Sequence, residues 1–306
     1  MLGLQYFSFA ELWSPLFLAV MLLLTAGYFV WIGPIAGRYA DSVPVPFWRR
    51  ALFVCGMLAL YVAQGGPVSL LGHMMFSFHM VSMALSYLVA VPLIMLGIPD
   101  FIWRSILRVN PFRRLSFLAR PVVAALLFNG LFSLYHIPVI HDYVMLHFTV
   151  HRIYYIVLFL TAALMWWTLI NPLPERRMAS GLGKIGFIFL NMVLLTPACG
   201  LIIFADQPLY ATYSDPETWA LAMGYCISGD PSALLQNFGG PAFFSLLSPK
   251  VDQQVGGIAM KFIQEFIFAS MLAYVFYHWY KKENGQEGDE LSTPSSALEE
   301  STLTRA

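Results

Sequence analysis

The stretch YHIPVIHDYVMLHFTVHR, residues 135–152, holds four of the chain's seven histidines. Long apolar runs flank it on both sides, so it lies where two hydrophobic segments end. An imidazole costs little in water, but one placed at membrane depth needs a polar cavity or a ligand to satisfy it. The fold must therefore provide His136, His141, His147 and His151 with polar partners, water or a ligand.

The composition predicts the class of protein. Hydrophobic residues make up 58% of the 306 residues and charged residues only 11%, which a soluble domain of this length would not tolerate on its surface. The sequence therefore predicts an all-α, polytopic membrane protein, with the lipid bilayer and no nucleic acid among its partners. The three cysteines form no CxxC pair or disulfide framework, and Cys199 is expected to be a small buried residue.

Seven segments are candidates for membrane spans, because a helix needs about 20 apolar residues to cross the hydrocarbon core. They are residues 13–32, 50–64, 70–97, 121–138, 148–170, 184–205 and 255–280. The second is the shortest, since Gly65-Gly66-Pro67 breaks its apolar run. No basic region or cleavage site precedes the first, so we expect a retained span rather than a signal peptide.

The basic residues predict the orientation. Fourteen of the seventeen lysines and arginines follow spans one, three and five or lie in the C-terminal tail, which places the N-terminus outside and the C-terminus in the cytoplasm. The long outer connection, residues 206–254, is predicted to form a cap of short helices. One of these begins at Asp215-Pro216-Glu217 and runs to about Ile227. The polar residues 281–306 are predicted to be a disordered cytoplasmic tail.

On this topology six histidines lie at or near the outer ends of the spans. His73 and His79 belong to the third span, in which Met75, His79 and Met83 follow one helix face at i, i+4 and i+8. Thioether and imidazole together suit Cu(I). A methionine stripe is also typical of simple packing between helices, so both interpretations stay open for the methionines.

The loop histidines divide into two groups. His147 and His151 lie at i and i+4 on one helix face, with His136 across a short loop, and this arrangement favours a shared metal or haem role. His141 alone fits a histidine at the membrane interface, solvated by headgroups and water.

Other polar residues in the spans have structural explanations. Lys261 and Glu265 are expected to form an ion pair, and no carboxylate is placed in spans three or four to serve as the counter-ion of a retinal Schiff base on that lysine. Asn129 and Asn191 are expected to form hydrogen bonds between helices. Asp252 is expected to cap the seventh span and line an outer vestibule.

Motifs spread along most of the chain resemble those of one family. They are Gly72-His73-Met74 with Phe78-His79-Met80, Pro92-Leu93 with Leu96-Gly97-Ile98-Pro99, His136-Ile137-Pro138 with His147 and His151, and Asp252-Gln253-Gln254-Val255-Gly256-Gly257. Over roughly residues 5–280 the chain is similar to the Bacillus-type caa(3) cytochrome c oxidase assembly factors, the CtaG family of Gram-positive bacteria. The resemblance implies seven spans, a bacterial plasma membrane location and a role in producing active oxidase without being an oxidase subunit.

The resemblance further implies that Cu(I) is handled at the outer face for insertion into the oxidase. The candidate metal ligands are His73, Met75, His79, Met83, His136, His147 and His151, and further functional residues are Asp252 and Gln253. The expected partners are oxidase subunits and copper-delivery proteins, with a homodimer as a further candidate. Many members carry a second histidine where this chain has Met83, which keeps a soft ligand for Cu(I) but removes an imidazole that haem would prefer.

Two alternative functions are also compatible with the sequence. One is a b-type haem protein that uses histidines of two helices as axial ligands. The other is a copper permease, although the polar groups cluster in the outer half and leave no continuous path. The chain has no Walker A segment, HExxH, nucleophile elbow or GxGxxG at a helix start, so we do not expect an enzyme.

Overall fold

A computed structural model describes residues 3–39, 41–108, 115–171, 173, 181–227 and 230–292. This part of the chain is built from helices and contains no β-strand, which confirms the all-α prediction. Five of the basic residues that predict the orientation lie outside these ranges. They are Arg113, Arg114, Arg176, Arg177 and Arg305.

The described residues form fifteen α-helices. They are α1 (Phe9–Trp13), α2 (Pro15–Ile32), α3 (Phe47–Gln64), α4 (Pro67–Met74), α5 (Phe76–Ala84), α6 (Val91–Gly97), α7 (Asp100–Arg108), α8 (Pro121–Tyr135), α9 (Pro138–Met145), α10 (Phe148–Ile170), α11 (Gly181–Ile203), α12 (Ala211–Ser214), α13 (Pro216–Met223), α14 (Pro231–Phe238) and α15 (Pro249–Ser292). A π-helix, Leu85–Ala90, joins α5 to α6, and short 3-10 turns cover Leu4–Tyr6, Ala36–Arg38, Leu115–Ala119 and Pro241–Phe243.

Several helical segments are long and apolar enough to cross a membrane, as a multi-pass protein requires. There are six within the described residues, or seven if the bent pair α8 and α9 counts as one span. The six are Phe9–Ile32, Phe47–Met74, Phe76–Gly97, Phe148–Ile170, Gly181–Ile203 and Pro249–Lys281. The short second segment of the prediction thus gains length, because α3 continues into α4 beyond the glycine pair.

The third helical segment begins later than the predicted residue 70. Met75 has an extended backbone, with φ −136° and ψ 131°, which ends α4 at Met74 and lets the chain reverse before α5. His73 therefore lies on α4 and His79 on α5, and not on one continuous helix. The two helices pack closely, since a Cβ atom on Gly72 would lie 3.2 Å from the Cα atom of His79.

The helices form a bundle around one main apolar core. Its fully buried members include Met80, Phe128, Trp166 and Met260, from α5, α8, α10 and α15. Helix α3 runs antiparallel to α5 and α6, so its C-terminal end lies beside His79. We call this end of the bundle, where α3 ends and α15 begins, the histidine end.

The polar groups predicted to be structural have the expected partners. Asn129 Nδ2 donates to Asn191 Oδ1 at 2.7 Å, which confirms the hydrogen bond between α8 and α11. Lys261 Nζ lies 2.6 Å from Glu265 Oε1, so the predicted ion pair is also confirmed. Cys199 is 1% exposed, as expected of a small buried residue.

A cap of short helices covers the histidine end. The Asp215 carboxylate accepts hydrogen bonds from Thr218 Oγ1 and N at 2.5 and 2.9 Å, which confirms the predicted N-cap and lowers the pKa of Asp215. Helix α13 ends at Met223, four residues before the predicted end. Buried side chains of the cap, including Trp219 and Phe244, pack against Leu70 of α4.

The last helix is longer than the sequence suggested. Helix α15 begins at Pro249, before the predicted start at residue 255, and continues to Ser292. Residues 281–292 are therefore helical, although their polar composition predicted a disordered tail. Lys, Glu and Gln are good helix formers, so a span that ends in such residues extends readily into water. Residues 293–306 lie outside the described residues.

Candidate functional site

Three helices bring three histidines together at the histidine end. Helix α5 carries His79, His136 directly follows the end of α8, and α9 carries His141. Pro138 cannot continue α8, and the chain bends by 80° between α8 and α9, which folds His141 back toward the bundle. The His79 ring centroid lies 5.2 Å from that of His141 and 6.1 Å from that of His136. We call these three residues the inner histidine cluster.

The cluster is buried, and several of its nitrogen atoms have no partner. His136 and His141 are 0% exposed and His79 is 3% exposed. His79 Nε2, His136 Nε2 and both ring nitrogens of His141 lack a hydrogen-bond partner within the described structure. Each such atom costs about 1–3 kcal/mol of desolvation. The interpretation of His141 as a solvated interfacial histidine is wrong, because the bend before α9 turns its ring inward.

His136 is held in a defined orientation. Its Nδ1 lies 2.7 Å from the carbonyl oxygen of Phe132, where it acts as the donor because a carbonyl can only accept. A neutral imidazole that donates from Nδ1 keeps its free lone pair on Nε2. A hydrogen bond of this kind from the second nitrogen is typical of metal-binding histidines.

Aromatic rings enclose the cluster. Tyr135 stacks on His79 at 5.6 Å between ring centroids, and Tyr210 lies 4.5 Å from His141. Two tyrosine hydroxyls close the side that faces the cap: Tyr210 donates to the His136 carbonyl at 2.8 Å, and Tyr213 donates to the Gly72 carbonyl at 2.7 Å. The sequence gives no signal for Tyr210 and Tyr213, since the helix that they begin and occupy, α12, has only four residues and shows no periodicity.

Asp142 fixes the short helix α12, which carries Tyr213. Its carboxylate accepts hydrogen bonds from Ala211 N at 3.0 Å and from Thr212 N and Oγ1 at 3.2 and 2.8 Å. Its Oδ1 also lies 3.6 Å from His141 Nδ1. This residue thus connects the inner histidine cluster to the tyrosines above it. The sequence signal available for it was its position directly after His141.

Asp252 caps a different helix from the one predicted. Its Oδ2 accepts from Phe76 N at 2.7 Å and from Ser77 N at 3.3 Å, and its Oδ1 accepts from Ser77 Oγ at 2.5 Å. These groups begin α5, the helix of His79. The predicted cap on its own helix is wrong, because α15 starts earlier, at Pro249, and the Asp252 side chain reaches across to α5.

Gln253 joins the same network. Its Oε1 accepts from Leu209 N at 2.7 Å, and its Nε2 donates to the Ile202 carbonyl at 3.2 Å. It therefore ties the end of α11 and the chain before Tyr210 to α15. Asp252 and Gln253 are positioning residues, since they hold the elements that carry His79 and Tyr210 without contacting a histidine ring.

A cleft of about 550 Å³ opens beside the inner histidine cluster. His79 lines it, together with Met145, His73, His151 and Cys226. His79 therefore lies between the cleft on one side and the rings of His136 and His141 on the other. The cleft provides a route by which a small ion could reach the buried nitrogens.

The remaining predicted ligands lie elsewhere. His151 packs with His73 at 5.6 Å between ring centroids. His147 is exposed and stacks on Tyr143 at 4.1 Å. The structure therefore divides the predicted set of His136, His147 and His151 among three places.

The two predicted methionine ligands are buried in apolar packing. Met83 belongs to the main core and Met75 to the apolar cluster beneath the cap. Across the described residues, no three or more His, Cys, Asp or Glu side chains are arranged to hold a metal ion. The structure thus offers pairs of histidines with free nitrogens, and not a preassembled multidentate site.

The fold and site define a multi-pass helical membrane protein with a buried histidine cluster beside a cleft. The chain belongs to the cytochrome c oxidase caa3 assembly factor family (Caa3_CtaG), whose family model matches residues 26–282. This match confirms the family resemblance and implies interaction with cytochrome c oxidase. Comparisons with curated proteins and with solved structures found no significant match.

Proposed function

We propose that this assembly factor binds Cu(I) as its cargo in the inner histidine cluster and passes it to cytochrome c oxidase. The observation that carries the proposal is the group of buried imidazole nitrogens without partners beside the cleft. Native proteins pair most buried polar groups. Several unpaired nitrogens within one cluster favour a ligand that supplies the missing interaction.

The spacing of the rings fits a shared ion. Two imidazoles that bind one ion from opposite sides through metal–nitrogen bonds of about 2 Å have ring centroids about 6.3 Å apart, and this is the largest possible separation. The separations of 5.2 and 6.1 Å from His79 to its two neighbours fall close to this limit. Cu(I) accepts two or three ligands, whereas structural zinc requires four. Two imidazoles are therefore enough to hold Cu(I), which is why we propose it as the cargo.

The direction of delivery follows from the distribution of basic residues. The distribution of basic residues and the positive-inside rule support our proposal that the histidine end faces the outer side of the bacterial plasma membrane. Copper-delivery proteins on that side would load the cleft, and the oxidase would receive the ion there. Met83, Phe128, Leu158 and Met165 fill much of the main core with apolar side chains, which favours delivery at one face over passage through the bundle.

Haem binding is less well supported than copper binding. A planar macrocycle needs a slot between its axial histidines. Around His79 this space is occupied by Tyr135, with Phe76 and Tyr213 also within 6.3 Å between ring centroids. An absorbance spectrum of the purified protein tests this directly, because a Soret band would reveal bound haem.

The test of copper binding makes the same substitution, histidine to alanine, at three buried histidines and at one exposed histidine. Full-length protein would be titrated with Cu(I) against a chromophoric chelator, together with His79→Ala, His136→Ala and His141→Ala. His278→Ala is the matched control, since that ring is exposed on α15. We expect each inner variant to lose at least about tenfold in Cu(I) affinity and to reduce oxidase activity in cells. Equal affinities in all four variants and wild type would contradict the proposal.

A further inference from the structure

Lys261 and Glu265 differ from the other charged residues of the spans in their depth. In the described spans, every other lysine, arginine, aspartate and glutamate lies within the first or last five residues of its helical segment, as Arg152 and Lys184 do. The span that carries this pair runs from Pro249 to Lys281, and Glu265 lies at its middle. The two charges are therefore placed at membrane depth, far from both ends of α15.

The pair lies on the outside of the bundle. The side chains of Lys261 and Glu265 are 27% and 37% exposed, and the neighbouring rings of Phe262 and Phe266 are 72% and 75% exposed. Ionisable residues within spans usually face the bundle interior or a water-filled cavity. This pair instead interrupts an apolar surface that the protein presents to lipid.

Helix α11 completes the polar surface. Lys261 Nζ donates to Thr196 Oγ1 at 2.9 Å as well as forming the ion pair, which accounts for two of its three N–H groups. One turn nearer the histidine end, a Cβ atom on Gly200 would have no atom within 4 Å. Small residues of this kind let a second helix approach closely. We call the surface formed by Thr196, Gly200, Lys261, Phe262 and Glu265 the charged face.

A second copy of this chain would complement the charged face poorly. Two copies inserted in the same direction are related by an axis perpendicular to the membrane, so each residue lies level with its own counterpart. Lysine would then lie at the depth of lysine and glutamate at the depth of glutamate, and like charges repel. A different helix, with an acceptor level with Lys261, avoids this repulsion.

We propose that the charged face is the docking site for a transmembrane helix of cytochrome c oxidase that carries a carboxylate or carboxamide level with Lys261. Membership of the assembly factor family implies contact with this oxidase. Apolar side chains pack equally well on lipid tails, whereas polar side chains select a partner that satisfies them. The inference rests on the family assignment and not on copper binding.

The position of the charged face also suits delivery of a cargo. Lys261 follows Asp252, which caps the helix of His79, by nine residues, or about 14 Å along α15. A helix docked on the charged face therefore reaches the surface of the membrane at the histidine end.

Photo-crosslinking of the full-length protein in cells tests the docking site. The crosslinking residue p-benzoylphenylalanine would replace Phe262 on the charged face or, as the matched control, Leu23 on α2, since both side chains are 72% exposed. We expect position 262 to form an adduct with a membrane subunit of the oxidase, identified by immunoblotting, and position 23 to form none. Equal yields at the two positions, or an adduct only with a second copy of this chain, would overturn the inference.

Exchanging the two charges distinguishes docking from a purely structural ion pair. Lys261→Glu with Glu265→Lys keeps an ion pair at i and i+4 but places a carboxylate where the docked helix needs a donor. The adduct from position 262, normalised to the amount of protein in the membrane, should fall at least about threefold, and so should that of Lys261→Leu with Glu265→Leu. A wild-type adduct yield in the exchanged variant would contradict the docking site.

Copper titration of the same variants separates this inference from the proposed function. Both double variants should bind Cu(I) with wild-type affinity, because the inner histidine cluster is unchanged. Normal Cu(I) binding without an oxidase adduct from position 262 overturns the docking site alone. An intact adduct in a protein that binds no Cu(I) supports the docking site and overturns the proposed function alone.

Discussion

Two buried polar regions lie in the same bundle and differ in how their atoms are paired. In the asparagine pair, Asn129 Nδ2 donates to Asn191 Oδ1 and to the Ala125 carbonyl, and Asn191 Nδ2 donates to the Phe187 carbonyl. In the inner histidine cluster, four ring nitrogens have no hydrogen-bond partner within the described structure, and only one of them, His141 Nδ1, has a carboxylate nearby, that of Asp142 at 3.6 Å. Both regions are almost fully buried, so burial alone does not distinguish them.

The difference indicates which region serves the structure and which serves a ligand. A satisfied buried pair contributes to helix association, and breaking it leaves an unpaired atom at a cost. A cluster with unpaired nitrogens already carries that cost in the folded protein, so its loss need not destabilise the bundle. Substitutions in the asparagine pair should therefore lower stability and leave Cu(I) affinity unchanged. Substitutions in the inner histidine cluster should lower Cu(I) affinity and leave stability nearly unchanged.

The largest expected effect is on Cu(I) affinity after His136→Leu. We expect a loss of at least about tenfold, because Nε2 is removed from the cluster. The unfolding free energy should change by about 1 kcal/mol or less, because loss of the Nδ1 hydrogen bond to the Phe132 carbonyl is offset by removal of the unpaired Nε2 atom. Detergent-induced unfolding and chelator competition measure the two quantities. Strong destabilisation with wild-type Cu(I) affinity would show that His136 serves the structure and not a ligand.

Asp252→Ala should lower stability most among the positioning residues. It leaves Phe76 N and Ser77 N at the start of α5 without their carboxylate acceptor, which costs about 3 kcal/mol. The matched control is Asp215→Ala, because Asp215 also caps a helix but is exposed, and caps of that kind contribute about 1 kcal/mol. Equal unfolding midpoints for the two variants would argue against Asp252 as the anchor of the His79 helix.

Asn129→Ala tests the satisfied region. The substitution leaves Asn191 Oδ1 buried without its donor, and we expect a destabilisation of about 1–3 kcal/mol. Cu(I) affinity should match that of the wild-type protein, because the pair lies in the core away from the cleft. A fall in affinity without a fall in stability would show that the two regions are not independent.

Tyr210→Phe removes one hydrogen bond that closes the inner histidine cluster. The hydroxyl donates to the His136 carbonyl, and its loss should cost about 1 kcal/mol. We expect faster release of Cu(I) to a chelator, measured by stopped-flow absorbance, with a smaller change in equilibrium affinity. Tyr143→Phe, at an exposed tyrosine, provides the control and should release Cu(I) at the wild-type rate.

The smallest effect is expected for His147→Ala. The ring is exposed and stacks on Tyr143, so stability should change by no more than about 0.5 kcal/mol and Cu(I) affinity should stay the same. A loss comparable to that of His136→Leu would place His147 in the site, as the resemblance of the loop motifs suggested.

The sequence was a good guide to features that depend on composition and local order. Apolar length predicted the membrane bundle, and Asp215-Pro216 predicted the start of α13. It was a poor guide where the chain changes direction: Met75 interrupts what appeared to be one helix, and the bend at Pro138 buries His141. These outcomes depend on the angles at single residues, which hydrophobic periodicity does not encode.

By itself, the sequence determined that this is a multi-pass helical protein of the caa3 oxidase assembly factor family. The length of the apolar segments and the order of the motifs along the chain do not depend on how the helices pack. Only the tertiary structure decided which histidines meet. It joined His141 to His79 and His136, moved His147 to the surface and brought His151 to His73. The physical reason is that ligand sets form between helices, and the packing of one helix against another sets the distances between their side chains.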